Sequence, residues 1–125
     1  MKKRKNSILY LNAEIAEEIL KSIGFATERA VDGIACIHMM QEADEEYYDI
    51  ILMDIQMPNM NGYDATRTIR SLKDSEKANI PILAMTANAF EEDKREVYRC
   101  GMNGHLAKPL DMKILAATLE KWMRQ

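Results

Sequence analysis

A chain of 125 residues, 47% of them hydrophobic and 30% charged, has room for one globular domain with an ordinary core, and that composition excludes a disordered polymer. Its longest apolar runs are a few residues, far short of the roughly 20 that cross a bilayer, and a net charge of -3 leaves no electrostatic footprint for nucleic acid. Cys36 and Cys100 fall on separate predicted helices without CxxC or metal-ligand spacing, and read as reduced, structural thiols of a cytoplasmic protein.

Lys2, Lys3, Arg4 and Lys5 imitate the start of a signal peptide, but the apolar stretch behind them is too short for one. Residues 1–6 are therefore expected to be a solvated basic tail and residues 7–125 the domain. Ser7 to Leu11 reads as a short strand. A helical pattern begins at Ala13, with Ile15, Ile19 and Ile23 at fourfold spacing, Asn12 as its cap and Gly24 as its end. Phe25 to Val31 is a weaker strand suited to a sheet edge. After the Asp32-Gly33 turn a second helix carries Ile34, Ile37 and Met40 or Ala43 inward, and its acidic end, Glu42 to Glu46, is solvated.

Ile50-Ile51-Leu52-Met53 is a continuous apolar run, which suits a central parallel strand covered on both faces. It ends on Asp54, followed by Met57-Pro58 and Asn61-Gly62, the punctuation of a shaped loop. In open α/β sheets ligands bind outside the carboxyl ends of the strands, so Asp54 is placed for metal or phosphoryl chemistry. An aspartate there also serves as a helix cap, and the stretch alone leaves both readings open.

A third helix from about Tyr63 to Leu72 turns Ala65, Ile69 and Leu72 inward and leaves Arg67, Arg70 and Lys73 to water. Lys73 to Asn79 is the longest connector. It leads into Ile80 to Thr86, an apolar strand whose last residue is a hydroxyl and whose Pro81 is tolerable at a strand start. The fourth helix, around Phe90 to Cys100, is highly charged and is expected to pack shallowly, with Gly101 at its end. Gly104 to Ala107 is a fifth strand and Lys108-Pro109 a loop. Asp111 caps a last helix with Met112, Leu115, Leu119 and Trp122 on one face. Strands alternating with helices at this spacing imply right-handed crossovers, hence an α/β domain with a doubly wound five-stranded parallel sheet between helices.

Asp54, Thr86 and Lys108 thus fall at three strand ends on one edge of the sheet. An aspartate can take a phosphoryl group as an acyl phosphate, a lysine can pair with its charge, and a hydroxyl can reach its oxygen. Taken singly, Thr86 as a helix cap and Lys108 as a surface charge are the blander readings, and their joint placement disfavours both.

Met53-Asp54-Ile55-Gln56-Met57-Pro58 with Asn61-Gly62, Pro81 to Ala89, Gly101-Met102 and Leu106-Ala107-Lys108-Pro109 together resemble the receiver domain of two-component response regulators, above all the receivers of hybrid sensor histidine kinases. The resemblance runs from about Ala13 to Trp122 and implies the flavodoxin-like (CheY-like) fold. It makes Asp54 the phosphoacceptor, Thr86 the switch hydroxyl, Lys108 the phosphoryl-binding lysine with a cis bond to Pro109, and His105 the occupant of the switch-aromatic position. It also implies a Mg²⁺ ligand in the Gln56 backbone carbonyl beside Asp54, and phosphoryl-lifetime modulators in the Gln56 and Asn88 side chains. A sensor histidine kinase or histidine phosphotransfer protein is the implied phosphodonor. A weak homodimer through the fourth helix, fifth strand and last helix is expected, with the charged run Glu91 to Glu96 beside Arg99 as complementary surface.

One departure is plain. Family members end the first strand on two adjacent acidic residues that hold Mg²⁺, whereas Ile8-Leu9-Tyr10-Leu11 here runs into Asn12-Ala13-Glu14 as though about five residues had been removed. If the strand keeps its register, Asn12 and Ala13 fall at the acidic positions; if the helix keeps its register, the strand is cut short. Neither supplies two carboxylates, so Mg²⁺-dependent phosphorylation is expected to be impaired. The alternative is a degenerate receiver that acts as a phosphorylation-independent interaction module. A haloacid-dehalogenase-like phosphatase is set aside because its second aspartate would fall at Gln56.

Overall fold

The computed structural model describes residues 7–11, 18, 20–22, 24–43, 47–55, 60–86, 91–107 and 111–123. Its strands are β1 (Ser7–Leu11), β2 (Ala26–Ala30), β3 (Ile50–Asp54), β4 (Ile82–Thr86) and β5 (Gly104–Ala107). Its helices are α1 (Gly33–Glu42), α2 (Gly62–Arg70), the single turn α3 (Ser75–Ala78), α4 (Glu91–Cys100) and α5 (Met112–Met123), with further helical residues at 18 and 20–22. All five strands are parallel in the order β2-β1-β3-β4-β5. That order reverses direction between β1 and β3, and such a switch point opens a crevice at the strands' carboxyl ends.

Side chains alternate across a strand, and here the alternation divides the core into two layers. Leu9, Leu11, Ile51, Met53, Ile82 and Ala84 face α1, α2 and α4, packing with Cys36, Ile37, Met40, Ala65, Ile69, Val97 and Cys100. Ile8, Tyr10, Ile50, Leu52, Leu83, Met85 and Leu106 face the other way, against Leu20 and the Leu115 and Leu119 of α5. Every residue of β1, β3 and β4 is buried, as a parallel sheet covered on both faces requires.

Helix boundaries follow capping chemistry. The Oδ1 of Asp32 accepts from Ala35 N at 2.8 Å, that of Asn61 from Asp64 N at 2.9 Å, and that of Asp111 from Lys113 N and Ile114 N at 2.8 and 3.1 Å. Gly24 (φ +97°) and Gly101 (φ +114°) stop the helices before them. At each, paired bonds to the preceding turn close a Schellman motif: Gly24 N to Lys21 O with Phe25 N to Leu20 O, and Gly101 N to Tyr98 O with Met102 N to Val97 O.

β1 pairs in register with both neighbours, Tyr10 lying beside Arg29 on one side and Leu52 on the other. The strand therefore keeps its register against both neighbours, whereas the start of the helix after it lies outside the described residues. Other expectations need correction. Ile34 is 43% exposed, and Gly33 and Cys36 hold the inward positions of α1 instead. Met112 is 49% exposed, so α5 packs through Leu115, Leu119 and, in part, Trp122. Val31 lies outside β2 and is exposed. The connector after Leu72 contains α3, whose Lys77 Nζ donates to Gln41 O at the end of α1 at 3.1 Å.

Arg70 is the largest correction. It turns from water to the amino edge of the sheet, where Nε donates to Gly101 O (2.9 Å), Nη1 to Ala78 O (2.6 Å) and Ile80 O (2.8 Å), and Nη2 to Asn103 Oδ1 (2.8 Å). Asn103 Oδ1 also accepts from Ile82 N at 2.8 Å. Burial lowers the guanidinium's pKa from its ordinary range, yet an arginine stays charged, and its fixed fork of donors meets acceptors from two separate segments, residues 78–80 and 101–103.

Candidate functional site

Asp54 is the last residue of β3 and is 4% exposed; Thr86 is the last of β4 and is 8% exposed. Register places Asp54 level with Met85, so Thr86 stands one residue beyond it on the adjacent strand, and Ala107, the last residue of β5, pairs with Thr86. The three strand ends expected to carry the chemistry therefore lie side by side at one edge. Lys108, Pro109, Gln56, Asn88, Asn12 and Glu14 lie outside the described residues.

The turn leaving Asp54 is built by close backbone approach. Ile55 N donates to Met85 O at 3.3 Å, and Gly62 N donates to Ile55 O at 2.9 Å, closing the chain onto itself as α2 begins. A Cβ on Gly62 would stand 2.7 Å from Asp54 O and 3.0 Å from Ile55 Cα. No side chain fits there, so Gly62 fixes the distance between Asp54 and the start of α2. Gly33 makes a like approach, its notional Cβ falling 2.9 Å from Met60 O. The pairing of Asn61 with Gly62 marked a loop in the sequence, but the contact with the Asp54 carbonyl was not legible there.

His105 pairs with Ala84 in β5. Because Leu106 belongs to the α5 layer, alternation turns His105 to the α4 face of the sheet, together with Ala84 and Thr86. Its Nδ1 is buried and, like Thr66 Oγ1 on α2, has no hydrogen-bond partner among the described residues.

Among the described residues, no three His, Cys, Asp or Glu side chains come together in a way that could hold a metal ion. The carboxyl end of β1 is Leu11, wholly buried and apolar, and no acidic residue occurs from Ser7 to Ala13. The donor set described at this edge is thus the Asp54 carboxylate, and a site built on a carboxylate pair from β1 does not fit it.

The charged run of α4 is also partly committed within the chain: Arg67 Nη2 meets Glu96 Oε2 at 2.7 Å and Arg99 approaches Glu96 Oε1 at 3.6 Å. Glu96 is therefore not simply free surface for a second copy.

A parallel 2-1-3-4-5 sheet, with a buried aspartate and a buried threonine ending two adjacent interior strands, defines a class of doubly wound α/β domains with polar side chains at the carboxyl edge of the sheet. Residues 10–120 match the response regulator receiver domain, and the chain belongs to that family. It is 33% identical over 112 residues to the sensor protein GacS of Pseudomonas syringae pv. syringae, covering 89% of this chain and 12% of that protein. The chain thus spans about an eighth of the length of that curated relative. The receiver domain of a sensor histidine kinase from Pseudomonas aeruginosa PAO1, solved with magnesium coordinated in its active-site cleft, is 33% identical with a TM-score of 0.84, covering 96% of this chain and 98% of that one. The receiver of the Saccharomyces cerevisiae response regulator Ssk1, co-crystallised with the phosphotransfer protein Ypd1, is alike in fold at 23% identity and a TM-score of 0.84, covering 98% and 92%.

Proposed function

We propose that this receiver takes a phosphoryl group on Asp54 from a phosphohistidine of a sensor histidine kinase or a histidine phosphotransfer protein, and does so with little dependence on Mg²⁺. The observation that carries the reading is the placement of Asp54 and Thr86, both buried, at adjacent carboxyl strand ends behind the turn that Gly62 closes. In the transfer, an Asp54 carboxylate oxygen attacks phosphorus, the P–N bond to the donor imidazole breaks, and the imidazole leaves with a proton from solvent while an acyl phosphate forms. The Thr86 hydroxyl donates to a phosphoryl oxygen and Lys108 neutralises the added charge, so that fixed donors supply the stabilisation this chemistry depends on. Gln56 and Asn88 flank the group and set how long it lasts.

Mg²⁺ is the family's cofactor, held through a carboxylate pair, Asp54 and the backbone carbonyl of Gln56. With no acidic residue at the end of β1, the affinity falls, by at least the roughly 10- to 100-fold that weaker perturbations of a metal site bring. Intact-mass measurement with a small-molecule phosphodonor tests this. The expected result is slow gain of one phosphoryl mass, absent in Asp54→Asn and changed little by millimolar Mg²⁺. Fast, strongly Mg²⁺-dependent gain would overturn the weak-metal reading. No gain from the small donor or from a phosphorylated phosphotransfer protein would favour a pseudo-receiver that binds partners without a phosphoryl switch, a reading that the missing carboxylate pair also supports.

A weak homodimer through α4, β5 and α5 belongs to the same reading, now carried by the exposed Tyr98, Met112 and Ile114 more than by Glu96. Sedimentation at high concentration checks it, with monomer alone as the outcome that removes it.

A further inference from the structure

α4 is attached to the domain unevenly. Its last turn is anchored: Val97 and Cys100 are buried, Gly101 closes the helix in the left-handed region, and Gly101 O accepts from Arg70 Nε at 2.9 Å. Ahead of that turn Lys94, Arg95 and Glu96 are half-buried or exposed. Among the described residues, an ion-pair contact on this part of the helix is the Arg67 bridge from α2, with Nη2 on Glu96 Oε2 at 2.7 Å and Nη1 on Asp64 Oδ1 at 2.7 Å. Arg99, one turn beyond Glu96 on α4, lies 3.6 Å from the same carboxylate and is ready to compensate Glu96 if Arg67 leaves.

The seat beneath the helix is imperfect. His105 Nδ1, on the strand that α4 packs against, and Thr66 Oγ1, on the helix beside it, are both buried without a partner. An unpaired buried polar atom is a standing cost that water would relieve. The part of α4 ahead of its last turn is thus held from the side by an ion pair that solvent can reach. Its first turns also join the segment leaving Thr86, since β4 ends there and α4 begins at Glu91.

We propose that Arg67 is a latch: its bridge to Glu96 holds the forward part of α4 against α2, and its release lets the helix pivot about the joint between Gly101 and Arg70. The consequence for Thr86, that an unlatched helix allows the hydroxyl to follow an incoming phosphoryl group more readily, rests on the phosphoacceptor reading; the latch itself does not.

Residue-resolved amide hydrogen exchange on the full chain tests the latch without phosphorylation. Arg67→Gln and Glu96→Gln should each speed exchange at Lys94 to Cys100 by roughly two- to five-fold relative to β3, the range of an exposed ion pair. The double variant should be no faster than either single one. Raising salt from about 0.02 to 1 M should accelerate the wild type and leave Arg67→Gln unchanged, because screening already removes what the substitution removes. Equal exchange in wild type and Arg67→Gln, additive effects in the double variant, or equal acceleration of β3 would overturn the latch. As a second arm, Arg67→Gln should gain phosphate from a small-molecule donor faster than wild type. Gain at equal rates would overturn the coupling to Thr86, whereas no gain in either protein would count against the phosphoacceptor reading and leave exchange to decide the latch.

Discussion

At Gly62 two effects of one methyl group compete. Alanine is the better helix former by up to about 1 kcal/mol, so in open space Gly62→Ala at the first residue of α2 would stabilise the protein. Here the added Cβ would lie 2.7 Å from the carbonyl oxygen of Asp54 and 3.0 Å from Ile55 Cα, both backbone atoms that cannot swing aside. Overpacking of that kind costs about 1–3 kcal/mol, which exceeds the propensity gain. The expected outcome is a lower urea midpoint with an unchanged m-value and, on the proposed phosphoacceptor reading, slower phosphoryl gain, because relief of the clash must move the backbone of Asp54. A variant as stable as wild type would mean that the turn after Asp54 yields easily, and the geometry at Asp54 would then not depend on Gly62.

Among the elements, the strands were legible because burial on both faces of a parallel sheet writes itself as unbroken apolar runs. Ile50 to Met53 and Ile82 to Met85 have no other economical explanation. The ends of the strands were legible too, where Asp54 and Thr86 close those runs with polar groups. Helix faces were harder to read. Ile34 and Met112 follow the apolar spacing yet are exposed, because nothing among the described residues covers their side of α1 and α5 near the helix starts. Arg70 was misread for the opposite reason: its partners, Gly101, Ala78, Ile80 and Asn103, come from segments whose convergence depends on the finished sheet. Arg70→Lys separates the two readings. A surface arginine would tolerate lysine within about 0.5 kcal/mol, but a compact ammonium cannot serve acceptors spread around a planar fork. Loss of two or three such bonds should lower stability by roughly 2–4 kcal/mol, read from chemical denaturation. A change below about 0.5 kcal/mol would show that the acceptors find other donors.

Across the whole molecule, the α1 side of the sheet stores a dependence on alkaline pH. The Tyr47 and Tyr48 rings pack edge to face with centroids 4.8 Å apart, and both hydroxyls donate to Glu28 on the edge strand β2, each at 2.6 Å. Burial first, then the bond to Glu28, pushes the Tyr48 phenol above its ordinary range. Beneath it in the same layer, burial pushes the Cys36 thiol up from 9.0 to about 12, and burial raises Cys100 as well. A thiol that holds its proton more tightly in the folded chain stabilises the fold fully below the unfolded value, and that contribution is lost as pH rises toward the folded one. Between about pH 9 and 12, Cys36 alone should lower stability by up to about 1.4 kcal/mol per pH unit, with Cys100 and Tyr48 adding in the same direction. Denaturation midpoints should therefore be flat from Cys36 between pH 7 and 8 and fall steeply above 9, and Cys36→Ala, though less stable at pH 7 for its small cavity, should show a shallower alkaline decline. Parallel declines in wild type and Cys36→Ala would remove the thiol as a cause, and rapid alkylation of Cys36 in the folded protein at pH 8 would show that the α1 layer opens far more readily than its packing implies.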